Sequence, residues 1–407
     1  MDDGNFRDLA VEEFDTRTLL AHAGKQAAQR RYEDFFICDI DGHHWEVFNW
    51  PQISDYIEDP VLRQQAKYQG YGGGGITAPT GLYQEMAGRI TRMDGRRPEK
   101  FPQGQQRDRI LTRRWMDSMG IDCVCLFPTP MLGLPFTPKP EVEVAMARAY
   151  NRWLVEHVLA EEPGIKSSLY LPMSDPEAAY KMVQDFGGKP GVIGFTIIAS
   201  TLRPVTDNLY AKTYALLQER DTPLIFHAGL TWGNNQNFSL CTRFMAVHAL
   251  SFSFSNILHM TNWLTNGMPE RFPKLRTVWV ESGLAWIPFL MQRLDNEYMM
   301  RSNEVPGLKR KPSDYMREMF YSSQPMEAVD NREALEVTFK MIKADTQLLY
   351  SSDYPHWDMD LPSVIYDLPF VSEDAKRNIL GGNAKRVFNL EGTLSQAKLD
   401  RRAARAS

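Results

Sequence analysis

Eight short runs rich in β-branched and aromatic residues recur along this 407-residue chain, each bounded by turn residues. They lie at 35–41, 121–127, 168–171, 192–198, 223–227, 277–281, 319–322 and 348–353. Between them run stretches with apolar residues at three- and four-residue intervals, as at 140–159, 175–186, 209–220 and 328–344. Strand-then-helix alternation of that number predicts a parallel (β/α)8 TIM-type barrel. A doubly wound open sheet is the alternative, but it rarely needs eight strands and would bind its ligand at one crevice.

The rest of the chain is read against that ring. Residues 1–34 precede the first strand and predict a helical N-terminal extension. The barrel domain then spans 35–390, and 391–407 forms a C-terminal tail. Residues 47–120 separate strands one and two, too long for an ordinary connection, and predict a cap over the barrel mouth. Within it, the run from Gly70 to Gly75 precedes no lysine and no helix start, so it reads as a hinge and not as a phosphate cradle.

The formal charge of −5 supplies no basic stripe, so no nucleic-acid partner is expected, and the basic segment from Lys398 to Arg405 is too short to change that. No apolar run is long enough for a bilayer span and no secretory start precedes the barrel, so no membrane association and a cytoplasmic location are expected. Four cysteines do not make a disulfide framework. Cys123 and Cys125 alternate on a strand, which suits barrel lining better than a zinc clip.

Chemistry concentrates at the expected strand ends. The first carries Asp39-Ile40-Asp41-Gly42-His43-His44-Trp45-Glu46, and the last carries Ser351-Ser352-Asp353-Tyr354-Pro355-His356. His227 and Glu281 end strands five and six, each close to a glycine. Side chains at strand C-termini converge on one face of such a barrel, so Asp41, His43, His227, Glu281 and Asp353 form the candidate metal set. Glu46, His44, His248 and His356 stand in reserve. His44 is expected to face away from His43, and His248 to precede a helix and hang over the mouth. His259 should be a packing residue, and His356 is expected to orient substrate or hold Asp353.

The chain resembles the amidohydrolase superfamily, in the branch called amidohydrolase family two. The residues that carry the likeness are the Asp-x-Asp-Gly-His opening, His227, Phe272-Pro273-Lys274-Leu275-Arg276, Ser352-Asp353-Tyr354-Pro355-His356, and the closing segment from Ile379 to Phe388. The resemblance implies metal ligation by Asp41, His43, His227 and Asp353. Many members carry histidines where this chain has Asp41 and Glu281, so its set is richer in carboxylate.

That branch includes aromatic-acid decarboxylases, hydrolases and dinuclear non-haem oxygenases, and three readings follow. The carboxylate-rich set favours an oxygenase with two ions, Fe/Fe or Mn/Fe, that uses dioxygen to hydroxylate a small organic or amino acid. The alternative is a hydrolase or non-oxidative decarboxylase with a single Zn or Mn, in which Asp353, His227 and His356 do the catalytic work. The third is a metal-bearing partner subunit of a hetero-oligomer. A homo- or hetero-oligomer acting on a small-molecule substrate is expected in any case. Arg243, Arg276, Arg293 and Tyr298 are candidates to anchor a substrate carboxylate.

Overall fold

The computed structural model describes residues 16–69, 101, 102, 104–201, 203–229, 231, 236–327 and 332–406. Eight parallel strands occur in sequential order: β1 Cys38–His44, β2 Cys123–Pro128, β3 Ile165–Tyr170, β4 Val192–Ile198, β5 Leu224–His227, β6 Thr277–Val280, β7 Phe320–Ser322 and β8 Leu348–Leu349. Ile40 N–H donates to Tyr350 O at 3.0 Å and Asp353 N–H to Asp41 O at 2.7 Å, which brings the last strand back to the first. The fold is a (β/α)8 barrel, as the alternation predicts.

The principal helices are α1 Thr16–Gln29, α2 Arg107–Met119, α3 Pro140–Leu154, α4 Pro176–Phe186, α5 Ala211–Glu219, α6 Phe244–Thr265, α7 Trp286–Arg301, α8 Arg332–Ile342 and α9 Gln396–Ala406. Local chemistry sets their ends. At α4 the Asp175 carboxylate accepts from Glu177 N and Ala178 N, and Pro176 occupies the first turn, where its missing N–H costs nothing. The barrel interior is filled by side chains that include Cys38, Cys125, Phe127, Ile225, Val278, Val280 and Leu349. It is a packed core with its chemistry at one rim.

The strand bounds shift where polarity misleads. β1 begins three residues later than expected and runs on through Asp41 to His44. β8 pairs only over Leu348–Leu349, because beyond it the backbone bonds sideways: Tyr350 N–H to Ile379 O, Ser351 N–H to Ser323 Oγ, Ser352 N–H to Asp39 Oδ1. Of the expected N-terminal extension, 16–29 form α1, and 1–15 lie outside the described residues. Within the C-terminal tail, α9 lies against the N-terminal end of the barrel through Lys398 and Arg401. Of the expected cap, 47–55, 60–69 and most of 104–120 are helical. Residues 70–100, with the Gly70–Gly75 hinge, lie outside the described residues, as does 103.

Candidate metal centre

A bulge in β1 aims the first two site residues. Asp39 pairs with Val124 and Gly42 with Leu126, so β1 holds one residue more than β2 over that step. Cys38 and Ile40 pack into the barrel interior, and strict alternation would then turn Asp41 and His43 outward. The extra residue reverses the parity, so that Asp41 and His43 face the mouth. Gly42 takes the outward position, where a Cβ would stand 2.7 Å from Val124 and 2.9 Å from the Trp115 ring. A side chain there would collide with rigid neighbours.

The rim then brings six ionisable side chains together. His43 Nε2 lies 3.2 Å from Asp41 Oδ1 and 3.2 Å from Asp353 Oδ1, and His227 Nε2 lies 3.1 Å from Asp41 Oδ1. His356 Nδ1 is 2.6 Å from Asp353 Oδ1, and Glu281 Oε1 is 3.7 Å from His356 Nδ1. Two overlapping groups have atoms close enough to share an ion: Asp41, His43 and His227, and His43, Glu281, Asp353 and His356. All six side chains are buried. Glu281 and Asp353 both hold a left-handed backbone with φ of 57°, strain that is costly for a residue with a side chain and is found at functional sites.

Tautomers decide what the cluster can bind. His43 Nδ1 faces the Pro128 carbonyl at 3.1 Å and His227 Nδ1 faces the Ala228 carbonyl at 2.7 Å. A carbonyl can only accept, so both Nδ1 atoms donate. In the neutral rings each Nε2 then carries a lone pair, aimed at carboxylate oxygens that carry lone pairs too. That arrangement repels itself unless a cation sits between. His43 Nε2, Asp41 Oδ2 and Glu281 Oε2 have no hydrogen-bond partner. A buried imidazole fixed through its other nitrogen by a backbone carbonyl is the usual form of a histidine ligand, so these residues fit a divalent metal.

A proton answers the same need for positive charge, and the titration directions show the carboxylates drawing one in. Burial opposes charge on His43, yet the carboxylates of Asp353 and Asp41 push it up to about 10. Burial also opposes charge on Asp41, but His227 and His43 hold it below the ordinary carboxylate range. Asp353 is held low in the same way by His356 and His43. Glu281 goes the other way. Burial, reinforced by the charges of Asp353, Asp41 and Asp358, drives it well above the ordinary value, because it faces anions.

The reserve residues divide. His356 joins the cluster and ties Asp353 to Thr129, whose Oγ1 lies 3.2 Å from its Nε2. His44 does not join. Its Nδ1 meets Asp108 Oδ2 and its Nε2 meets Tyr150 OH, each at 2.8 Å, which pins α2 and α3 to β1. Glu46 accepts from Thr129 N and Met131 N and so orders the turn after β2. His248 lies inside α6, not before it, and reaches Asp358 at 3.6 Å. His259 is buried against Ala199 O, a packing role as expected. Arg276 pairs with Asp221, Arg293 with Glu297, and Tyr298 and Arg243 bond to backbone carbonyls. None of those four contacts the cluster.

Sequence reasoning missed Asp39, Gln324 and Asp358. Asp39 accepts from Ser352 and from Asp41 N, and so aligns the two ligand-bearing segments. Gln324 Nε2 donates to Asp353 Oδ2 at 3.2 Å and to Asp358 Oδ2 at 3.3 Å. The available signal was a polar residue just past strand seven, at the ligand-bearing end of the barrel. Replacing His44 with glutamine is expected to leave metal content unchanged while lowering stability by roughly 1–3 kcal/mol, the cost of a buried group left without its partner. Metal analysis and thermal unfolding of that variant check it, and loss of metal would make His44 a ligand.

A parallel barrel with imidazole and carboxylate converging at its C-terminal rim defines the class of metal-centred barrel enzymes. The chain belongs to the amidohydrolase family, whose sequence pattern matches residues 38–390. It is 23% identical over 253 residues to a gamma-resorcylate decarboxylase of Polaromonas sp., covering 60% of this chain and 76% of that one. The 5-carboxyvanillate decarboxylase of Sphingomonas paucimobilis has the same fold, with a TM-score of 0.63 and 19% identity over 87% of this chain and 99% of that one. A dihydroxybenzoic acid decarboxylase of Polaromonas sp. JS666, solved with bound manganese and 2-nitroresorcinol, gives a TM-score of 0.60 and 18% identity, covering 88% and 97%. Among the described residues no helix is long and apolar enough to cross a membrane.

Proposed function

We propose that this chain is a divalent-metal lyase that removes CO2 without oxidation from a small planar carboxylic acid. The observation that carries the reading is the pair of Nε2 lone pairs, on His43 and His227, fixed toward the Asp41 and Asp353 carboxylates. The decarboxylase relatives support this alternative over the oxygenase expected from the carboxylate-rich ligand set, and the bound manganese of one relative supports a single ion over an iron pair.

In this reading Asp41, His43, His227 and Asp353 hold one ion. When bound, it supplies positive charge that orients the substrate carboxylate and stabilises negative charge as the carbon–carbon bond breaks. The bond pair left on carbon must then take up a proton. Glu281 is placed to hold one at its carboxyl, since burial among anions favours its protonated form. His356, fixed between Asp353 and Thr129, keeps the Asp353 carboxylate in place. The buried rim excludes bulk water from the developing carbanion.

The test is anaerobic incubation of the manganese-loaded full chain with 2,6-dihydroxybenzoate and 5-carboxyvanillate, following CO2 and the decarboxylated phenol. Release of CO2 without oxygen consumption is expected. Activity that requires dioxygen would refute the lyase reading.

One observation favours the second reading, the oxygenase with two ions. The group His43, Glu281, Asp353 and His356 overlaps the first group and contains a carboxylate oxygen with no hydrogen bond. Glu281→Gln separates the two. With a single ion, the variant is expected to retain one metal per chain and to lose turnover about 100-fold or more, within the range a proton-transfer group contributes. A fall from two metals to one per chain would establish the dinuclear centre.

A further inference from the structure

We propose that Cys38 and Cys123 are a dithiol that hydrogen peroxide converts to a disulfide, at the end of the barrel opposite the metal centre. They are the first residues of β1 and β2, and they face each other directly in the parallel ladder. Both side chains point into the barrel, in the cluster that also holds Cys125 and Phe127. Neighbouring strands lie about 4.8 Å apart, within the roughly 4.4–6.8 Å between Cα atoms that a disulfide spans. The two thiols are hydrogen-bonded to each other. Among the described residues the groups able to share a metal ion contain no cysteine, so a bound metal does not account for the pair.

The register at this corner is fixed. Ile37 O accepts from Asp122 N at 2.9 Å and from Cys123 N at 3.3 Å, and Ile37 N donates to Asp122 Oδ2 at 2.8 Å. The bonds from Lys398 and Ser395 to Asp122 hold the same corner from outside. Two sulfurs placed side by side in this way need no further search for each other, because folding has already made it.

Access and charge give the two thiols different parts. Cys38 is 0% exposed, whereas Cys123, 5% exposed, lies on the wall of a cavity of about 940 Å³ at the N-terminal end of the barrel. Phe36, Lys166, Ile193 and Phe388 line the same cavity. Lys166 faces the barrel interior, since it pairs with Cys125 across the β2–β3 ladder. It has no hydrogen bond or ion pair among the described residues, whereas Arg113 on the same wall is paired with Glu162 and Asp117. An unpaired cation near a thiol favours the thiolate, which is the form that attacks peroxide. Cys38 keeps its proton, because its hydrogen bond with Cys123 and then burial push its thiol well up. Cys125 is fully buried, and burial pushes its thiol well up too.

The first attack therefore falls to Cys123. Its sulfur bonds to one peroxide oxygen as the O–O bond breaks, and the released hydroxide leaves as water with the Cys123 proton, giving a sulfenic acid. The Cys38 sulfur then bonds to the Cys123 sulfur and the S–O bond breaks. The second hydroxide leaves with the Cys38 proton, again as water. The two sulfurs have supplied the two electrons that reduce the peroxide.

The test treats the manganese-loaded full chain with hydrogen peroxide, alkylates the remaining thiols after denaturation and maps the unreduced peptides by mass spectrometry. A linked Cys38–Cys123 peptide is expected, with Cys125 alkylated, and dithiothreitol should restore both thiols. Peroxide added after unfolding should lower the yield of that pair at least about tenfold, because the proximity is then lost. Lys166→Met should slow the bridge about tenfold by withdrawing the charge that favours the thiolate. Cys38→Ser should leave Cys123 as a sulfenic acid that dimedone traps. The wild-type map stands even if that variant folds poorly. Recovery of Cys38 and Cys123 as free thiols from the folded chain, a bridge through Cys125 or Cys241 in their place, or an equal yield from the unfolded chain would each overturn the inference. An unchanged rate in Lys166→Met would remove Lys166 from it, and an unmodified Cys123 in a folded Cys38→Ser protein would reverse the order of attack.

Discussion

Replacing His43 with alanine is expected to empty the barrel mouth of divalent metal and to lower turnover at least about a thousandfold, the largest functional effect of any single change in this chain. The reason is position. His43 Nε2 lies 3.2 Å from both Asp41 Oδ1 and Asp353 Oδ1, and His43 belongs to both candidate metal groups. Its loss removes a ligand under either the one-ion or the two-ion reading. It also leaves two buried carboxylates facing each other without the positive charge between them. Metal content by elemental analysis and turnover with manganese in excess check the prediction. Full metal retention in a folded His43→Ala protein would move the centre elsewhere.

Asp122→Ala is expected to cost about 3–5 kcal/mol of stability, as when one partner of a buried ion pair is deleted. Asp122 Oδ2 accepts from Ile37 N at 2.8 Å and from Lys398 Nζ at 2.6 Å, while Oδ1 accepts from Ser395 N at 2.8 Å. Lys398 also donates to Phe35 O, so one carboxylate ties α9 and its lead-in to the starts of β1 and β2. Both charged side chains are almost fully buried, at 1% and 0% exposed. Deleting the carboxylate strands an ammonium inside the protein. Denaturant unfolding measures the loss, and Asp122→Ala with Lys398→Met should recover part of it because no lone charge is then left buried. A single substitution costing under about 1 kcal/mol would mean that α9 is only loosely held.

How much of this could be read from the chain depends on which force set each feature. The expected bounds of β4, 192–198, coincide with the observed Val192–Ile198, because its apolar run is bounded by turn residues and carries no chemistry. α3 and the π-helical turn Val155–Leu159 together fill the expected 140–159 for the same reason. The expected β1 stops three residues early, at Asp41, since a run such as Asp39-Ile40-Asp41-Gly42-His43-His44 breaks the apolar pattern of a buried strand. It is buried nonetheless, with Asp39 bonded to Ser352 and His43 Nδ1 to Pro128, while the atoms left over face the metal centre. Local pattern fails at functional sites for this reason.

The sequence by itself determined the number of strands, their order, and the fact that Asp41, His43, His227, Glu281 and Asp353 fall at one end of them. These are consequences of hydrophobic periodicity and of the rule that parallel strands present their C-termini on one face. Only the tertiary structure decided which side chains meet. The β1 bulge that turns Asp41 and His43 inward, the carbonyls of Pro128 and Ala228 that fix the two tautomers, and the left-handed backbone at Glu281 and Asp353 all depend on contacts between distant segments. Strand alternation already turned His44 away from His43, but its partners, Asp108 and Tyr150, are brought to it only by the fold. Residue type sets what a side chain is able to bind, and the closed ring decides whether the partners arrive.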